Sequence, residues 1–86
     1  MNAYTTEFFA DCPNNGARIK YTLRIETEAV ILVEHILAAT ESFTNDFHEH
    51  IADALHGRFG GTQTLVADHH TVRIETLREA REPSNR

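Results

Sequence analysis

The sequence predicts a small α+β fold in the order β-β-α-α-β-β, an antiparallel sheet with a helix pair packed on one face. Three observations predict it. Residues Arg18 to Thr27 alternate polar and apolar without a break, behind an Asn-Gly turn signal. Apolar residues then recur at helical spacing from Ala29 to Thr40 and again from about Asn45 to His56. Gly60-Gly61 opens a second alternating region. At 86 residues, 41% hydrophobic and 24% charged, one domain is expected, over residues 1–77. Residues 78–86, polar and holding Pro83, are expected to fray.

The first hairpin is read around Asn15-Gly16, where both turn residues tolerate positive φ. That placement sets Cys12 against Ile19, Ala10 against Tyr21, Phe8 against Leu23 and Thr6 against Ile25 on the apolar side. It also predicts two ion pairs on the other side, Glu7 with Arg24 and Asp11 with Lys20.

In the first helix, Ala29, Leu32, Val33, Ile36, Leu37 and Thr40 share one face, and Thr27 is the expected cap. The β-branched run Val30-Ile31 leaves a strand as the other account of its start. The second helix turns Phe47, Ile51, Ala54 and Leu55 inward, with Thr44 or Asn45 as cap and Gly57 as stop. Thr62–Asp68 and Thr71–Leu77 then read as a hairpin around His69-His70, since Asp and His enter the left-handed region readily.

The run Thr22-Leu23-Arg24-Ile25-Glu26-Thr27 nearly repeats as Thr71-Val72-Arg73-Ile74-Glu75-Thr76. Either two half-buried strands use similar residues, or the two are antiparallel neighbours with Arg24 facing Glu75 and Glu26 facing Arg73.

Several function classes are excluded early. A chain this short buries only roughly 60–65% of its unfolded surface, so a cofactor cleft between two domains is not expected. The longest apolar run, Ala29 to Val33, falls far short of a bilayer span. No basic start or signal-length apolar stretch opens the chain, so a cytoplasmic protein is expected. Cys12 is the single cysteine and pairs inward, where it acts as a small apolar residue. Ser42 and Ser84 have no positioned base. Gly57-Arg58-Phe59-Gly60-Gly61 precedes a strand and ends in no Lys-Ser/Thr, so it is not a phosphate loop.

The net charge of −5 hides an asymmetry. Glu26, Glu28, Glu34, Glu41, Asp46, Glu49 and Asp53 lie in a stretch that contains no lysine or arginine. The helical layer is therefore acidic, and Glu28, Glu34 and Glu41 of the first helix and Asp46, Glu49 and Asp53 of the second project away from the apolar stripes. Solubility alone accounts for such a face. Two features point beyond it. The helices forgo the Glu–Lys pairs that surface helices usually carry, and Ile31 projects among Glu34, His35 and Ala38. Together these sketch an acidic, partly apolar patch suited to a basic protein surface. Direct nucleic-acid binding is not expected, because Arg18, Lys20, Arg24 and Arg73 are interleaved with Glu7, Asp11, Glu26 and Glu75.

Asp46, His50 and Asp53 at i, i+4 and i+7, with Glu49 beside them, form the one candidate divalent-metal set. An exposed polar flank explains the same spacing. His48 lies near the apolar border and His56 opposite it, so His48 and His50 do not converge. His69-His70 decorate a turn. Histidines near the acidic layer predict a weak response of partner binding near pH 6.

The β-β-α-α-β-β order resembles the tunnelling fold of pterin- and purine-handling enzymes. Those enzymes are longer and use an anchoring Glu and often a zinc-binding His set, neither of which can be placed here. In size, acidity and lack of a catalytic motif the chain is also similar to small phage- or mobile-element-borne inhibitors of bacterial defence complexes. The expectation is a non-enzymatic, anti-CRISPR-like interaction module without a cofactor, using Ile31, Glu34, Glu41, Glu49 and Asp53 against a larger basic protein or nucleoprotein complex. The alternative is a small metal- or ligand-binding enzyme subunit of tunnelling-fold type using Asp46, His50 and Asp53. A third option is a homo-oligomer, in its simplest form a homodimer, joined through sheet edges.

Overall fold

The computed structural model describes residues 1–80. The expected element order holds: β1 (Asn2–Asp11), β2 (Arg18–Thr27), α1 (Val33–Glu41), α2 (His48–Phe59), β3 (Thr62–His69) and β4 (Val72–Arg78). The strands form one antiparallel sheet in the order β1-β2-β3-β4. Period-two alternation sends Ile19, Tyr21, Leu23 and Ile25 of β2 to one side, beside Phe8 and Ala10 of β1 and Leu65 and Ala67 of β3. Ile36 and Ala39 of α1 and Ile51, Ala52 and Leu55 of α2 close over them. α2 lies on β3 and β4, and α1 lies on the β1 side. The opposite face of the sheet is open.

The first hairpin departs from its expected register by two residues. Ala10 pairs with Ile19, Phe8 with Tyr21, Thr6 with Leu23 and Tyr4 with Ile25. The reason is the turn, which spans Pro13 to Gly16 instead of two residues. The Cys12 N–H donates to the Ala17 carbonyl (2.8 Å) and the Gly16 N–H to the Cys12 carbonyl (2.7 Å). Pro13 thus sits in the turn, where its fixed φ suits it and no N–H is required. Gly16 still supplies the positive φ, at 73°. A two-residue shift preserves the side-chain period, so every inward residue stays inward. The predicted ion pairs do not form; the acids take other partners, Asp11 the directly opposite Arg18 and Glu7 the diagonal Lys20, both at 3.6 Å, while Arg24 turns to Glu26 on its own strand at 3.0 Å.

Both helices begin later than their spacing implies. Thr27 does not cap α1; its Oγ1 accepts the Ala29 N–H (3.0 Å) in a local turn. The Tyr4 hydroxyl accepts the Ile31 N–H (3.1 Å) and holds the approach to α1 outside the helix. The inward face of α1 is consequently Ile36, Ala39 and Thr40, while Ala29, Leu32, Val33 and Leu37 are exposed. The expected caps of α2 are also used elsewhere. The Asp11 N–H donates to the Thr44 carbonyl (2.9 Å), and Asn45 bridges Asp11 in parallel. α2 turns Ala52 and His56 inward in place of Phe47 and Ala54, which are exposed. It runs through Gly57 and ends at Gly60, whose φ is 65°. His56 anchors that last turn, its Nε2 meeting the carbonyls of Gly61 (3.1 Å) and Glu79 (3.0 Å).

The second hairpin turns one residue later than expected, on His70-Thr71, with His70 at φ 60°. The repeated strand motifs are not neighbours. β3 lies between β2 and β4, and Arg24 faces Thr64. β3 buries Gln63, Leu65 and Ala67, which suits it to an interior position. Arg78 belongs to β4 and bonds Asp53, so the ordered sheet extends past residue 77. The remainder of the expected tail, residues 81–86 with Ser84, lies outside the described residues.

Candidate protein-binding surface

α1 is short, and it and the residues leading into it display large apolar side chains. Val30 is 82% exposed, Val33 56%, Leu32 54% and Leu37 45%. Between them stand Glu34, His35, Ala38 and Glu41, all exposed. Isolated exposed aliphatics are ordinary, but four on one short segment form a patch. Ile31, expected to project from this face, instead precedes the helix and packs partly buried against the core. The Tyr4 bond to its N–H turns Val30 and Leu32 outward on either side, so these are the exposed apolar groups.

The acidic residues fall into two groups. Glu34, Glu41 and Glu49 are exposed and have no ion-pair partner among the described residues. Asp53 is committed, its Oδ1 lying 2.9 Å from Arg78. Asp46 precedes α2, with its Oδ1 accepting the Phe47 N–H (2.7 Å) and lying 3.3 Å from His50 Nδ1. Asp46 and His50 therefore meet, but the Asp53 carboxylate is held by Arg78. Among the described residues no group of three or more His, Cys, Asp or Glu side chains is placed to hold a metal ion.

Beside α1 a groove of about 510 Å³ runs along β1, lined by Phe8, Phe9, Leu37 and Phe43 with Glu7 and Glu41. Phe43 reaches it from the α1–α2 connection, its ring 6.3 Å from that of Phe8. The floor is aromatic and aliphatic, and the rim is mixed: Glu41 stands unpaired among the described residues, while Arg18 lies over the Phe9 ring at 4.9 Å and pairs with Asp11.

A second hollow, of about 290 Å³, lies where the start of α2 meets the first hairpin, lined by Cys12, Tyr21, Asp46, His48, His69 and Ile74. His48 was expected only at the apolar border of its helix. It stands 5.5 Å from the Tyr21 ring, with Nε2 at 2.8 Å from Thr76 Oγ1 and no hydrogen-bond partner for its buried Nδ1 among the described residues. Burial pushes its pKa below the usual histidine range, aided by Arg78 and opposed by Glu49. Burial raises that of Tyr21, reinforced by Cys12 and Asp46. The hollow thus holds a neutral imidazole and a protonated phenol near neutral pH. Only the fold could reveal this pairing, because Tyr21 and His48 are far apart in sequence.

No family model, no curated protein and no solved structure matches the chain. No helix among the described residues is long and apolar enough to cross a membrane.

Proposed function

We propose that this chain is a non-enzymatic protein–protein interaction module, whose acidic helical layer engages a larger, basic partner in the cytoplasm. Its concrete form is an anti-CRISPR-like inhibitor that occupies a nucleic-acid-binding surface of a bacterial defence complex. What supports it most is α1, where exposed Val33 and Leu37 are interleaved with Glu34 and Glu41, carboxylates that no cation neutralises among the described residues. Carboxylates steer a cationic partner and give specificity, and the aliphatic groups supply the area that holds it. Glu49 adds an exposed carboxylate on α2, at the hollow beside the first hairpin. Asp53 contributes less, because Arg78 already neutralises it.

The test is capture from bacterial lysate by the native chain beside a Glu34→Lys, Glu41→Lys, Glu49→Lys variant, with competing DNA in parallel. Asp53 is kept so that its bond to Arg78 survives. Capture of a basic complex by the native chain only, weakened by DNA, is the expected result. Equal capture by both chains, or none, overturns the proposal.

The second reading is a ligand-binding enzyme subunit, and the His48–Tyr21 hollow favours it. The specific metal form is tested by zinc calorimetry, in which stoichiometric binding lost on His50→Ala is required.

A further inference from the structure

Among the described residues the β1 edge of the sheet is open from Ala3 to Phe9, and Glu7 is the one charged residue along that stretch. With Cys12 and Ala17 hydrogen-bonded across the hairpin, strict alternation of the ladder directs the N–H and C=O groups of Ala3, Thr5, Glu7 and Phe9 away from β2. No backbone bond from elsewhere reaches these four among the described residues. Edge strands are normally blunted by lysine, proline, a bulge or an inward-pointing charge. β1 contains no lysine and no proline, its pairing with β2 runs unbroken from Asn2 to Asp11, and its inward residues Tyr4, Thr6, Phe8 and Ala10 are uncharged. The next outward residue, Asp11, already accepts a foreign segment, donating its N–H to Thr44 at 2.9 Å. The chain's own connection thus covers the edge for one bridge and then leaves it.

Resting on the interaction reading above, we infer that the partner contributes an extended cationic segment that adds to β1 as a fifth strand, seated along the groove beneath α1. Main-chain bonds to Thr5, Glu7 and Phe9 supply the strand pairing, and alternate side chains supply specificity. Its inward side chains meet Phe8, Leu37 and Phe43, so they are apolar. On the other side Glu7 and Asp11 are already paired with Lys20 and Arg18 at 3.6 Å, so the cationic side chain of the segment is the one that meets Glu41 at the rim, a carboxylate with no ion-pair partner among the described residues. Charge argues against a second copy in this place. Pairing β1 with itself would bring two acidic α1 faces to one seam, each from a chain of net charge −5.

The probe is a blocked peptide of alternating lysine and valine, as long as the Ala3–Phe9 edge, added to the labelled full chain at low salt. Amide hydrogen exchange is then read residue by residue. Slowed exchange at Thr5, Glu7 and Phe9, with no change at Thr6 and Phe8, is the expected pattern. Thr5→Pro removes an outward N–H without touching the bonds to β2, and is expected to weaken the peptide by roughly tenfold or more. Glu7→Pro repeats the block two positions along, should the first variant fold poorly.

Peptide binding lost on Glu34→Lys, Glu41→Lys but unaffected by either proline, with no edge protection, overturns strand addition and leaves the acidic-face reading intact. Absence of peptide binding to the folded native chain also overturns strand addition, and lysate capture then decides the wider reading separately. A native dimer in sedimentation that Thr5→Pro converts to monomer assigns the edge to a second copy and overturns it as well.

Discussion

The hydroxyl of Tyr4 accepts the backbone N–H of Ile31 at 3.1 Å, joining the first strand to the approach of the first helix across twenty-seven positions of sequence. That bond holds Ile31 inward and displays Val30 and Leu32. Tyr4→Phe keeps the ring and removes the acceptor, leaving a part-buried N–H unpaired. The expected cost is about 1 kcal/mol, read from urea midpoints. Faster exchange at the Ile31 amide, with an unchanged β1–β2 ladder, locates the loss.

Glycine substitutions sort by local geometry. Gly61 has φ 69°, and a Cβ there would lie 2.5 Å from the Glu26 carbonyl oxygen, a backbone atom that cannot swing away. Gly61→Ala is expected to destabilise by about 1–3 kcal/mol or more. Gly57 lies inside α2 with nothing within 4 Å of a built Cβ. Gly57→Ala is therefore expected to stabilise by up to about 1 kcal/mol. Thermal melts of the two variants should move in opposite directions.

His48 makes stability depend on pH with a defined sign. Its folded pKa is lowered, chiefly by burial, so the unfolded chain binds the proton more tightly. Its contribution is intact above the ordinary histidine value of about 6.5. It falls as pH drops through that value toward the lowered folded one. Urea midpoints at neutral and mildly acidic pH should show this slope in the native chain and less of it in His48→Gln. An equal slope in both would assign the effect to other groups.

The Asp53–Arg78 pair separates stability from recognition. The Asp53 side chain is 65% exposed and that of Arg78 29%, so Asp53→Asn should cost no more than about 1 kcal/mol. Partner capture should be retained, because this carboxylate is already neutralised. Glu34→Lys with Glu41→Lys should do the reverse, leaving the melting temperature nearly unchanged and abolishing capture.

Much of the fold is legible in the sequence alone. The strand at Arg18–Thr27, the two helices, the closing hairpin and the inward set of β2 all follow from periodicity, which is a property of neighbouring residues. The acidic character of the helical layer was equally plain from composition. The candidate site was legible only in its chemistry. Helical spacing points Ile31 outward and Leu37 inward, yet Ile31 packs against the core and Leu37 lines an open groove, because the apolar stripe is wider than the contact α1 makes.

Local pattern thus decided which face of each strand is buried, since alternation survives even a two-residue change of register. Pairings between distant residues decided the rest. Pro13 and Gly16 lengthened the turn and reset the β1–β2 register. The Thr44 carbonyl bonded Asp11 and took away the expected cap of α2. β3, buried by Gln63, Leu65 and Ala67, took the interior place that separates the two repeated strand motifs. Each of these is a choice between partners far apart along the chain, and the winner is set by which buried polar groups must be satisfied once the layers meet.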